Sequence, residues 1–136
     1  MLCFDTDVIS ALIRPAPRLR LVRKLAAVAP TEQSTTAITQ AELLHGASRR
    51  PQGNLEARIR AALSSAHVIF PFDTQAAEVY GPLRAMLEEA GRPLADADLC
   101  IASIALARDL TLVTGNTRHF SRVPGLRVEN WLEPAA

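Results

Sequence analysis

Short apolar or β-branched runs alternate along this chain with segments whose apolar residues recur at helical spacing, and this alternation limits the folds open to it. Residues 2–5 form an apolar run that ends in a carboxylate, which suits a buried strand. Residues 8–13 read as a helix stopped by Pro15 and Pro17. Leu19, Val22, Leu25 and Ala26 mark a second helix that Pro30 closes. Residues 33–36 form a strand, and a helix over 40–48 follows with Thr39 as its N-cap. After a loop at Pro51, Gly53 and Asn54, the residues Leu55, Ile59, Ala62 and Leu63 predict another helix, and 67–70 another strand. Asp73 caps a long helix ending at Gly91, with Gly81 and Pro82 expected to bend it. Residues 98–108 are strongly helical, with Ile101, Ala102, Ala105 and Leu106 as the buried stripe. Strands over 110–113 and 126–128 complete the pattern. Such alternation predicts an α/β sandwich around a mainly parallel sheet, with ligands gathered at the carboxyl ends of the strands. Asp5 closes the first strand and Thr114 to Asn116 follow another directly, so both point to one edge.

A chain of 136 residues fits one domain, taken here as 1–136. Hydrophobic residues make up 49%, enough for a real core, which excludes a disordered chain. Cys3 and Cys100 both lie in apolar runs and read as small buried hydrophobes, not as a disulfide framework. No apolar stretch approaches the roughly 20 residues of a membrane span, and the first residues carry neither a basic region nor a signal-peptide core. The expectation is a cytoplasmic protein with no membrane contact. The net charge of +1 excludes nothing. Its distribution is more informative: Arg14, Arg18, Arg20, Arg23 and Lys24 cluster, and Arg49, Arg50, Arg58 and Arg60 follow. Such a patch can track a phosphate backbone, although solvated helix faces look the same.

Four carboxylates stand among apolar neighbours: Asp5, Glu42, Asp96 and Asp98. Converging at one strand edge, they would repel one another unless a divalent ion neutralised them, and Mg2+ or Mn2+ prefers such oxygen ligands. Each also has a plainer reading. Thr39 and Glu42 have capping-box spacing, Asp96 or Asp98 can cap its helix, and Asp7 can cap the one beginning at Val8.

Four blocks, in order, shift that balance. They are Leu2-Cys3-Phe4-Asp5-Thr6-Asp7-Val8-Ile9-Ser10, Ile38-Thr39-Gln40-Ala41-Glu42-Leu43-Leu44-His45-Gly46-Ala47, Gly91 through Ala102 with Asp96-Ala97-Asp98 at its centre, and Leu112-Val113-Thr114-Gly115-Asn116-Thr117-Arg118-His119-Phe120. Glu129-Asn130-Trp131 follows. In these blocks the chain resembles the PIN-domain toxins of VapBC toxin–antitoxin systems over nearly its whole length. The resemblance implies a PIN-like α/β/α sandwich and metal-dependent endoribonuclease activity with Mg2+ or Mn2+. It further implies a homodimer and inhibition by a cognate VapB-type antitoxin, through which DNA is met only indirectly. Carried over by position, Asp5, Glu42 and Asp98 match the family's metal-holding acids, and Asp96 is an additional, water-holding catalytic candidate. Thr114 and Asn116 match its Thr-x-Asn/Asp motif beside the metal. His119 stands where many relatives carry an acid, a departure that bears on a fourth carboxylate ligand and on a second metal, and it reads as a surface residue, with contact to phosphate as the alternative.

Other readings carry less. Glu42 and His45 have the spacing of a di-iron motif, but one copy occurs and no four-helix bundle is readable. Phe4-Asp5-Thr6-Asp7-Val8 also resembles the strand end of haloacid-dehalogenase phosphatases, which need a later lysine; the only lysine here is Lys24. Trp131 reads as a packing anchor and His67 as structural. The alternative from another class is a catalytically silent PIN-like module that binds RNA or protein, against which the presence of Asp5, Glu42 and Asp98 argues.

Overall fold

Strand β1 (Leu2–Phe4) is the centre of the molecule, flanked by β2 (Gln33–Thr36) on one side and β4 (Thr111–Val113) on the other. The computed structural model describes residues 1–132. With β3 (Val68–Phe70) and β5 (Arg127–Glu129) at the edges, the order is β3-β2-β1-β4-β5, and every pairing is parallel. The expected mainly parallel sheet is therefore wholly parallel.

Alternation along the strands divides the core in two. Cys3 and Leu112 face a cluster with Leu83 and Leu87 of α5 (Thr74–Glu89), Leu99, Ile101, Ala102 and Ala105 of α6 (Asp96–Ala107), and Phe120 of the short α7 (Thr117–Phe120). Phe4 and Val113 face the other, built from Val8 and Ile9 of α1 (Thr6–Leu12), Leu21 of α2 (Leu19–Ala26), Leu43 and Ala47 of α3 (Ala37–Arg49), and Ile59 and Leu63 of α4 (Leu55–Ser64). Trp131 belongs to this second cluster, its ring edge-on to Phe4 at 5.3 Å, as a packing anchor should be. Burial drives the Cys3 thiol up to about 12, so it stays an inert hydrophobe. Among the described residues no helix is long and apolar enough to cross a membrane.

Several boundaries differ from expectation, each for a local reason. α3 begins at Ala37, not Gln40, because β2 runs straight into it. Thr36, still extended, caps it by accepting the Thr39 N–H at 3.1 Å. α6 begins at Asp96, two residues early, with Ala95 as a cap that contributes no side-chain bond. β5 lies one residue further on than 126–128, pairing Val113 with Glu129. His67 lies just outside β3, donating its backbone N–H to Gln33 O. Asp73 does cap α5, accepting from Ala76 N at 3.0 Å. Gly91 ends that helix in the left-handed region at φ 69, which lets Arg92 N reach back to Leu87 O. α7, with only four residues, has no counterpart in the sequence reading.

Candidate active site

The sheet order reverses direction between β1 and β4, where a doubly wound sheet leaves a crevice at its carboxyl edge. Phe4 pairs with Val113, so Asp5 and Thr114 emerge side by side. Asp5 is buried, and one carboxylate oxygen accepts the Thr6 N–H at 2.8 Å, capping α1. The other accepts the Thr114 hydroxyl at 2.8 Å, and Thr114 Oγ1 in turn accepts the Asn116 N–H at 3.0 Å. Asn116, Thr114 and Asp5 thus form a relay that fixes the direction of the carboxylate.

Glu42 joins from α3. Its carboxylate accepts the Thr6 hydroxyl at 2.7 Å and does not reach back to its own helix terminus, so the capping-box reading fails. Asp98, on the first turn of α6, makes no capping bond. It is half-buried, and its pKa is raised first by that burial and then by repulsion from Glu42 and Asp7, with His119 acting in the opposite sense. His119 is exposed, as expected, yet near enough to Asp98 to offset part of its charge.

Asp96 is not brought to this cluster. Its carboxylate accepts the Tyr80 hydroxyl and lies 4.0 Å from Arg84, both on α5. An acid that the sequence reading took for a cap, Asp7, lies in the cluster instead. Asp7 accepts the Gly115 N–H at 2.9 Å and lies 3.5 Å from Thr114 Oγ1; Asp5, not Asp7, occupies the cap of α1. The available signal was the second acid of Asp5-Thr6-Asp7, together with a glycine directly after Thr114.

Burial drives the pKa of Asp5 up to about 6, against the hydrogen bonds from Thr114 and Thr6 and with added repulsion from Asp7 and Asp98. Burial also raises Asp7. Asp5, Asp7, Glu42 and Asp98 therefore form a mutually repelling group of oxygen donors. Among the described residues no three His, Cys, Asp or Glu groups form a ready-made metal cage. The donor chemistry nonetheless fits a hard divalent cation that keeps several of its waters, and does not suit a soft one.

Gly115 is required by close approach. A Cβ there would lie 2.9 Å from Asp7 Oδ2 and 2.7 Å from Leu132 Cδ1. The Leu132 side chain can swing away, but Asp7 is held by the Gly115 N–H itself. Gly115→Ala is expected to lower stability by on the order of 1–2 kcal/mol in chemical denaturation. Gly46→Ala on α3, where a Cβ meets nothing within 4 Å, should raise it by roughly 0.5–1 kcal/mol. Equal stability of the Gly115 variant and wild type would show the packing around Asp7 to be slack.

Comparison with known proteins agrees with this fold. The PIN domain family matches residues 2–126. The chain is 41% identical over 98 residues to a tRNA(fMet)-specific endonuclease VapC of Salmonella typhimurium, covering 71% of this chain and 73% of that one. It is 37% identical to ribonuclease VapC2 of Rickettsia felis over 71% and 72% of the respective lengths. Among solved structures, VapBC2 from Rickettsia felis bound to a promoter DNA fragment superposes with a TM-score of 0.85 at 30% identity, covering 96% of this chain and 98% of its counterpart. DNA-bound VapBC from Salmonella typhimurium gives 0.85 at 32% identity, covering 96% and 97%.

Proposed function

This chain belongs to the PIN-domain family and is an RNA-cleaving toxin of the VapC type, and we propose that it cuts RNA with Mg2+ or Mn2+ held by Asp5, Glu42 and Asp98. The observation that supports metal dependence is the carboxylate group itself. Asp5 is buried, its pKa pushed up to about 6, with repulsion from Asp7 and Asp98 added to its burial. When bound, the ion would supply Lewis-acid polarisation of the scissile phosphate and neutralise charge on the leaving oxygen.

The residues around it have separable tasks. Thr114 and Asn116 orient Asp5, Thr6 orients Glu42, and Gly115 holds Asp7. A deprotonated carboxylate of the group takes the proton of the attacking water. Because each acid is positioned by a hydroxyl or backbone N–H donor or by its helix, little reorganisation is needed when substrate arrives.

The toxin works in the cytoplasm with a VapB-type antitoxin as its partner and a homodimer as its own assembly, and it meets DNA only through that partner. A cleft of about 790 Å3 beside Asp7, walled in part by Leu21, Trp131 and Leu132, suits an apolar segment of the antitoxin. Magnesium or manganese titrated into chelator-treated protein should restore RNA cleavage and give a calorimetric binding signal. Full cleavage in excess chelator would sink the metal-dependent reading.

A further inference from the structure

We propose that the RNA strand runs from the carboxylate group into the cleft between α1 and the α3–α4 pair, its phosphates met by Arg14, Arg49, Arg50 and Arg58. This rests on the ribonuclease reading and gives the substrate a path. The cleft encloses about 470 Å3, and Thr6 and Glu42 line it together with the four arginines. It is therefore continuous with the site of cleavage.

Positive charge is in excess there, four arginines sharing the cleft with one acid, Glu42. None of the four arginines makes an ion pair among the described residues, whereas Arg60, Arg84, Arg108 and Arg127 are each matched to an acid. Arg58 is anchored, its Nη1 donating to the Ile13 carbonyl at 2.9 Å, while its buried Nε finds no acceptor among the described residues. Cations gathered in excess of acids repel one another and favour a polyanion that meets all of them. Two other members of the basic patch are engaged elsewhere: Arg18 donates to the Leu132 carbonyl, and Lys24 lies over the Trp131 ring.

Spacing and lining define what the cleft reads. From Glu42 to Arg49 and Arg50 along α3 the rise is on the order of 10 Å, enough to engage phosphates beyond the scissile one. Among the described residues no aromatic side chain lines it, so they offer no stacking platform for bases. It grips the backbone and leaves sequence choice to other surfaces.

The test uses a short single-stranded RNA, with binding followed by fluorescence anisotropy in the Asp98→Asn background over a range of salt. Arg49→Ala combined with Arg50→Ala should weaken binding about tenfold or more and flatten the log K against log salt slope by about one per lost phosphate contact. Arg60→Ala, which removes an exposed partner of Glu56, should match its parent. Gly46→Trp, otherwise wild type, fills the cleft at a position with open space and removes no charge; it should raise KM about tenfold while Gly46→Ala does not. Unchanged RNA affinity and salt slope in the double variant, with inhibition by antitoxin lost instead, would assign the cleft to the protein partner and overturn the proposal. Wild-type cleavage of the same RNA is measured alongside, so failure of the ribonuclease reading appears there and not in the variants.

Discussion

Replacing Asp98 by Asn should cut RNA cleavage by more than about 100-fold while leaving the fold intact, a loss beyond what removal of an outer hydrogen-bonding partner of a metal site produces. Asp98 makes no capping bond, so the substitution takes nothing from α6 that a helix terminus needs. It does remove a charge that Glu42 and Asp7 repel, and the thermal midpoint of the metal-free protein should stay level or rise. Asp96→Asn is the internal comparison. That carboxylate is exposed and tied to Tyr80 and Arg84, so its loss should change cleavage by no more than about threefold, with an effect on stability below 1 kcal/mol. Cleavage rates, manganese affinity by calorimetry and thermal unfolding separate the two variants. A large loss in Asp96→Asn with little in Asp98→Asn would mean that the cluster is drawn around the wrong residue of the pair.

The contrast between Asp96 and Asp98 also shows where sequence reading reached its limit. Two residues apart on a helix, side chains point in widely different directions, which sets the two acids apart once the helix is known to begin at Asp96. Started at residue 98, the helix hides that conflict. The ends of β1 and β4 were legible for the opposite reason: each is an apolar run broken by one polar residue, and parallel pairing brings Asp5 and Thr114 together. Asp7 was not legible as part of the group because Val8 looks like the first apolar residue of its helix, which makes the preceding acid a cap. Only the direct passage from β1 into α1 gives the cap to Asp5 and frees Asp7 for Gly115. The start of α3 was ambiguous in the same way, since Thr36 and Thr39 are equally good caps and the junction with β2 decides. α7 is too short to carry any periodic signal.

Asp5→Asn should likewise reduce cleavage by more than about 100-fold, but here the larger lesson lies in how stability depends on pH. Asp5 caps α1 and sits in the acidic group at once, so the two roles must be separated by chemistry and not by position. Asn is as good an N-cap as Asp and can keep the bond from the Thr6 N–H. What it cannot keep is the negative charge. In the folded, metal-free protein the Asp5 carboxyl titrates near 6, above the usual carboxylate value of 3.8. The folded state therefore binds the proton more tightly than the unfolded one, and stability falls as pH rises between those values. Below about pH 4 the penalty is absent; above about 6 it is complete, on the order of 3 kcal/mol. Asn removes that penalty but turns an amide donor or a poorer acceptor toward the Thr114 hydroxyl, so the net gain at pH 8 should be on the order of 1–2 kcal/mol. Urea unfolding of chelated wild type and variant, from pH 4 to pH 8, should give curves that converge in acid and separate above pH 6 with the variant more stable. Near-normal cleavage together with lower stability at pH 8 would make Asp5 a helix cap and nothing more, and the mechanism would have to be rebuilt without it.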